Sequence, residues 1–147
     1  MKDFQIISIS PAFIYREWLQ FEHLEKTSGL ALIWDITNFQ RDLLKKWKLS
    51  KIMIKDDQLM GYAILSEKTV NCVHLHRFVI NPLHRNKGLG STFLKNLIAD
   101  LKISYKLLSL KIDKNNEFTE AFYQKMDFFR IYDEEKSLFM GCVLKSD

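Results

Sequence analysis

The sequence of 147 residues is poor in the residues that break or staple a chain, with five Gly, two Pro and two Cys. No Pro-rich, Ser/Gly-rich or low-complexity stretch interrupts it, which argues against a flexible linker or a disordered tail. It has no internal repeat, so a solenoid is excluded as well. Cys72 and Cys142 show neither CxxC nor metal-ligand spacing, and each falls in an apolar, strand-like run. Buried reduced thiols and no metal are therefore expected. No apolar run approaches the roughly 18 residues that a membrane span needs. The opening MKDFQIISIS lacks the basic start and long apolar run of a secretion signal, so the expectation is a soluble cytoplasmic protein with no membrane partner.

What is present suits a single globular domain over residues 1–147: 47% of the residues are hydrophobic and 13% aromatic, enough for one sizeable core. A formal net charge of +4 favours an anionic ligand by long-range attraction but is too small to choose one. Lys45, Lys46, Lys48 and Lys51 cluster around Trp47. That pattern is expected to be a solvated helix face, and nucleic acid is not expected as a partner.

Phe4 to Ser10 reads as a short strand, and Ser10-Pro11 supplies a helix cap and a preset first turn. Ile14, Trp18, Phe21 and Leu24 or Glu25 then give an aromatic core stripe on a helix that ends before Gly29. Gly29 to Asp35 is open to three readings: loop, helical turn or short apolar strand. Thr37 with Gln40 forms a candidate capping box for a second helix through Phe39, Leu43, Leu44 and Trp47. Lys51 to Lys55, Leu59 to Ser66 and Cys72 to Ile80 read as an antiparallel meander joined by polar turns. Leu89, Phe93, Leu94, Leu97, Ile98 and Leu101 carry a 3.6-residue stripe. Leu107 to Ile112 is strand-like, and Phe118 to Met126 is a short helix with Phe118, Phe122 and Met126 on one face. Phe128 to Tyr132 and Leu138 to Leu144 make a final hairpin. The predicted order is β-α-α-β-β-β-α-β-α-β-β: an α/β (α+β) fold with a mixed, mostly antiparallel sheet of about seven strands flanked by about four helices.

The chemistry concentrates between the third meander strand and the striped helix, where Arg85, Gly88 and Gly90 stand in R-x-x-G-x-G spacing (RNKGLG). Glycines there let the backbone turn sharply and approach a ligand, leaving the free N–H groups of a first helical turn pointing outward. With the positive end of the helix dipole, and with Arg85 and Lys87 nearby, this is a candidate site for a phosphate or pyrophosphate. A P-loop is excluded because no Gly-Lys-Ser/Thr follows, and a dinucleotide fingerprint because position 93 is Phe where a third glycine is needed.

With RNKGLG, the preceding LHRFVINPLH, Gly61 in QLMGYAIL and the later NEFTEAFYQKMDF, the chain resembles the GCN5-related N-acetyltransferase (GNAT) superfamily over residues 51 to 132. Asn116 and Tyr123 keep the family's seven-residue separation, whereas Thr119 replaces the usual Ala and Asp127 the usual Gly. The resemblance implies an acetyl-CoA-dependent N-acetyltransferase in which Arg85, Asn86, Lys87, Gly88, Leu89, Gly90 and Ser91 grip the coenzyme A pyrophosphate. Backbone groups of Phe78, Val79 and Ile80 would run beside the pantetheine, with an N–H near Val79 as oxyanion donor. Asn116 would bond the pantetheine or an ordered water, or serve only as a turn residue. Tyr123 would protonate the departing thiolate or only pack beside the pantetheine. The base that deprotonates the amine is sought among His76, His74, Glu22 and Glu25, with His76 favoured over the others.

Acetyl-CoA as co-substrate and a small-molecule primary amine are the expected partners. The alternatives are a macromolecular acceptor (protein N-terminus, lysine or aminoacyl-tRNA) or a non-catalytic acyl-CoA-binding module. The final strand, Leu138 to Leu144, is expected to be available for pairing across a homodimer.

Overall fold

The structure is a computed structural model that describes residues 4–85 and 87–145. Its elements, in chain order, are β1 (Gln5–Ser8), α1 (Pro11–Arg16), α2 (Trp18–Lys26), α3 (Ile36–Gln40), α4 (Lys46–Leu49), β2 (Lys51–Lys55), β3 (Gln58–Thr69) and β4 (Cys72–Ile80), followed by a 3-10 turn at Pro82–His84. Then come α5 (Leu89–Leu101), β5 (Leu107–Asp113), α6 (Glu117–Lys125), β6 (Phe129–Asp133) and β7 (Ser137–Val143). All seven strands form one sheet in the order β1-β2-β3-β4-β5-β7-β6. Every pairing is antiparallel except β4 with β5, which α5 connects as a parallel crossover. The predicted mixed sheet is thus present.

Alternation along the strands sends apolar side chains to both faces. Ala63, Leu65, Val73, Leu75, Leu108, Leu110 and Met140 pack with Phe93, Leu94 and Leu97 of α5 and with Tyr123 of α6. Ile52, Tyr62, Ile64 and Val79 pack on the opposite face with Ile14, Phe21, Leu24 and Phe39 from α1, α2 and α3. There the rings of Phe21, Phe39 and Tyr62 meet at centroid separations of 5.2–5.3 Å, so aromatic edges and faces add to area burial.

Several expectations need correction. Ser10 does cap α1 through Phe13 N, at 3.1 Å, but the first predicted helix breaks at Glu17 into α1 and α2. The capping box lies two residues earlier than expected, between Asp35 and Asn38, because Asp35 is the residue with extended backbone that can turn its carboxylate onto the N3 amide. The second predicted helix is the two short pieces α3 and α4, and residues 29–35 are a loop. Lys46 is buried rather than solvated: its ammonium donates to Phe39 O and, at 2.6 Å, to Arg41 O, closing the end of α3. Desolvation lowers its pKa to about 8. Phe118 is exposed, and Tyr123 takes its place on the inward face of α6 with Met126 and partly buried Phe122. The final strand cannot pair across a dimer, since β7 is enclosed by β5 and β6 on its two sides. Both cysteines are free, Cys142 buried and Cys72 half-buried.

Candidate active site

The sheet opens at its centre. β4 and β5 share a ladder only from Cys72–Leu107 to Leu75–Leu110, while β4 stays paired with β3 as far as Ile80 and β5 with β7 as far as Asp113. Beyond Leu75 and Leu110 the two strands diverge, and each leaves an unpaired edge facing a wedge-shaped split. A β-bulge marks the same place: Ile64 pairs with Arg77 and Leu65 with Leu75, so His76 is the extra residue.

The ladder decides which backbone groups face the split. Asn81 N donates to Met60 O at 2.7 Å, and two residues back Val79 lies opposite Tyr62, so Val79 also turns its N–H toward β3. Phe78 and Ile80 therefore present their amides to the split, whereas the Val79 amide, near which an oxyanion donor was expected, faces β3. Gly61 sits opposite Ile80, where a Cβ would lie 2.7 Å from Val79 O. Only glycine lets β3 and β4 approach this closely, which explains QLMGYAIL.

The mouth of the split is closed by the N-terminus of α5. Gly88 is its N-cap at φ 77°, and no side chain of a described residue caps the first turn, so among the described residues nothing occupies the N–H groups of Leu89, Gly90 and Ser91. Positive φ accounts for Gly88. Gly90 has no such conformational need: a Cβ there would meet Phe122 at 3.5 Å and Ile80 at 3.7 Å, ordinary contacts. Phe78 packs against Phe93 (5.5 Å) and Phe122 (6.4 Å), joining the split, α5 and α6. Arg85 is exposed, yet its guanidinium donates to Ser28 O at 3.0 Å and lies 3.5 Å from Thr27 O, tying the turn to the end of α2. Lys87 is exposed, and Asn86 lies outside the described residues.

On α6, the Tyr123 side chain is buried against Phe122 and Phe128, and its hydroxyl makes no hydrogen bond to a described residue. Burial pushes the phenol pKa upward, so the proton is retained. Asn116 caps α6, accepting from Thr119 N at 3.2 Å. Its carboxamide oxygen caps the helix, and the amide N–H groups of the same side chain donate to no described residue. Asp127 ends α6 at φ 69°, so an aspartate holds the left-handed position the resemblance reserves for glycine.

The candidate bases separate. Glu25 is buried: Arg77 Nε reaches Oε2 at 3.1 Å, Trp34 N reaches Oε1 at 2.7 Å, and Tyr62 donates to Oε2. Arg77 also bonds Leu32 O and lies 5.2 Å from the Trp34 ring, so the group pins the loop 29–35 to β4. Glu25 is structural. Glu22 pairs with Lys26 on the surface at 3.8 Å. His76 shares a 2.6 Å hydrogen bond with Ser66 Oγ, and His74 Nδ1 a 2.7 Å one with Ser109 Oγ. The two imidazoles touch, with ring centroids 4.8 Å apart. Burial first, then neighbouring cations, bring each down to about 4, so both are neutral at pH 7. The Glu25–Arg77 pair and the serine partners carried no signal in the sequence, because they join residues on different elements, 10 to 52 positions apart.

Comparison with known proteins agrees with this geometry. The chain is similar to the ribosomal-protein-S18-alanine N-acetyltransferase of Escherichia coli, with 17% identity over 98% of this chain and 96% of that one and a TM-score of 0.81. It is similar to Ard1 of Thermoplasma volcanium, with 15% identity, 98% and 99% coverage and a TM-score of 0.80. The acetyltransferase yncA of Salmonella typhimurium, solved with acetyl-CoA, gives 15%, 99% and 96%, and 0.70. Comparison with curated proteins gives no match. The model of the acetyltransferase (GNAT) family matches residues 12–128. The split sheet with a glycine-capped helix at its mouth is thus this chain's version of a shared fold, and the chain belongs to the acetyltransferase (GNAT) family.

Proposed function

We propose that the chain moves the acetyl group of acetyl-CoA to a primary amine of a small metabolite in the cytoplasm. The observation that carries this reading is the unpaired split between β4 and β5, with uncapped N–H groups at one end and Tyr123 in the core cluster against which Phe78 and Ile80 of the split pack. Acetyl-CoA supplies the activated acyl group as a thioester. The N–H groups of Leu89, Gly90 and Ser91 hold its diphosphate, with Gly88 setting the turn and Arg85, Asn86 and Lys87 adding polar or positive groups. Phe78 and Ile80 bond the extended arm as a missing strand would, and Val79 keeps that edge straight through its own bond to β3. Asn116 fixes the start of α6 and so the position of Tyr123.

Tyr123 gives its proton to the sulfur that leaves. In water a phenol at about 10 is a weaker acid than a thiol at about 8.5. The burial that raises Tyr123 raises a thiol in the same place, so the gap stays near the roughly 1.5 units it has in water instead of widening. His76 is the neutral group proposed to receive the proton of the amine. Transfer from an ordinary ammonium to an imidazole near 4 is uphill, at about 1.4 kcal/mol per unit. An acceptor whose ammonium is acidified by nearby cations suits such a base best.

Tyr123→Phe tests the assignment. Turnover should fall about 100-fold or more, the usual size of a lost general acid, while calorimetry should find acetyl-CoA bound as before. Unchanged turnover would reject the acid role. Peptide N-termini belong in the same acceptor panel as small amines, and turnover confined to peptides would move the reading to a macromolecular acceptor.

A further inference from the structure

On the face of the sheet that carries α1–α3, one patch is polar where its surroundings are aromatic. Ser66 on β3, His74 and His76 on β4 and Ser109 on β5 lie on three adjacent strands, and their hydrogen bonds to each other show that they share one face. The residues between them, Leu65, Val73, Leu75, Leu108 and Leu110, point into the core on the other side. Both serines are buried and both imidazoles half-buried, so the patch is a floor rather than a solvated surface. Lys111, two residues beyond Ser109, continues the same face, and Lys68 acts on both imidazoles.

Its position is informative. Leu75–Leu110 is the last rung between β4 and β5, so His76 and Lys111 are the first residues of the two diverging arms. The patch therefore lies at the apex of the split, where the proposed reaction would occur. Cations outnumber carboxylates around it: Lys68 and Lys111 act on His74, and Lys46, Arg41 and Lys68 on His76. Asp42 is the carboxylate in this neighbourhood, and it acts on Lys46. A bare ammonium ion entering such a floor meets more cations than carboxylates, which disfavours a simple polyamine.

We propose, resting on the acetyltransferase reading, that His74, His76, Ser66 and Ser109, with Lys68 and Lys111 at the rim, form a subsite for an acidic group of the amine acceptor. The acceptor is then a small amine that also carries a carboxylate or a phosphate. Its anion is held by the lysines and by hydroxyl or imidazole donors, and its ammonium, beside the same cations, gives up its proton more readily. This narrows the acceptor from any primary amine to a zwitterionic or phosphorylated one.

The experiment compares matched acceptors in wild type and in Lys68→Glu/Lys111→Glu, both surface positions. The pairs are ω-amino carboxylic acids against their amides and O-phosphoethanolamine against ethanolamine, with free thiol release from acetyl-CoA as the signal. The acidic member should win by about tenfold or more in kcat/KM, the effect of a charge-assisted hydrogen bond. The charge reversal should abolish that preference while the calorimetric affinity for acetyl-CoA holds. Equal rates within pairs, or a preference that survives the reversal, overturn the proposal. Inorganic phosphate followed by imidazole NMR decides the matter without turnover: His74 and His76 should respond saturably, with His23 as internal reference and His84 reporting phosphate at the α5 turn separately. No such response refutes the subsite. Failure of acetyl-CoA to bind would instead refute the acetyltransferase reading and leave the phosphate result to stand by itself.

Discussion

Gly90→Ala separates the needs of the fold from the needs of the ligand. A Cβ at position 90 would lie 3.5 Å and 3.6 Å from Phe122 and 3.7 Å from Ile80, all ordinary contacts. The residue is helical, and alanine is favoured over glycine in a helix by up to about 1 kcal/mol. The variant should therefore be as stable as wild type or more so, with a thermal midpoint up to about 2–4 °C higher. The same methyl group, directed at Phe122 and Ile80, narrows the space beside Ile80 where the proposed ligand enters the split. Losing two charge-assisted hydrogen bonds of about 1.5 kcal/mol each would weaken acetyl-CoA binding by roughly 100-fold. Thermal melts and calorimetric titration with acetyl-CoA give the two readings. A stable variant that binds acetyl-CoA as wild type does would place the anion elsewhere, and a destabilised one would refute the packing argument. Gly88→Ala is the contrasting control: its Cβ meets nothing within 4 Å, but φ is +77°. It should lose about 1–2 kcal/mol of stability from backbone strain.

Arg77→Leu removes the counter-charge of Glu25, whose side chain is 0% exposed against 10% for Arg77. Leaving a buried carboxylate unpaired should cost about 3–5 kcal/mol in urea denaturation, and Glu25→Met/Arg77→Met should recover much of it. Additive single losses in that cycle would show that the pair is not coupled. The imidazoles of His74 and His76 also predict how stability varies with pH. Each titrates near 4 when folded and at about 6.5 when unfolded, so between those values the unfolded chain takes up more protons. Stability should be full above about pH 6.5 and fall progressively toward pH 4. His74→Gln/His76→Gln should flatten that slope, and an unchanged slope would assign it to other groups.

The strand and helix order was legible because each element carries its own period. The α5 stripe and the alternation of β4 are local patterns, and R-x-x-G-x-G marked a glycine-capped turn because Gly88 answers a local backbone demand. Short helices were harder to read. α3 and α4 span five and four residues, too few for a period to register, and their ends are set by the Asp35 cap and the buried Lys46 ammonium. Nothing near position 46 in the chain distinguishes that lysine from Lys45 or Lys48. Its burial comes from packing on β3 and from two carbonyls that need a donor. Phe118 failed in the opposite sense, since a single turn of α6 does not show which side faces the core.

By itself the sequence determined the sheet-forming segments, the glycine-capped turn and the family, since these depend on residues within a few positions of one another. Tertiary structure alone decided where the sheet opens, which amides face the opening, and that two histidines from one strand share a face with serines from the strands on either side. Strand register and side-chain burial are properties of contacts between distant segments. A change of one rung would send those histidines to the other face.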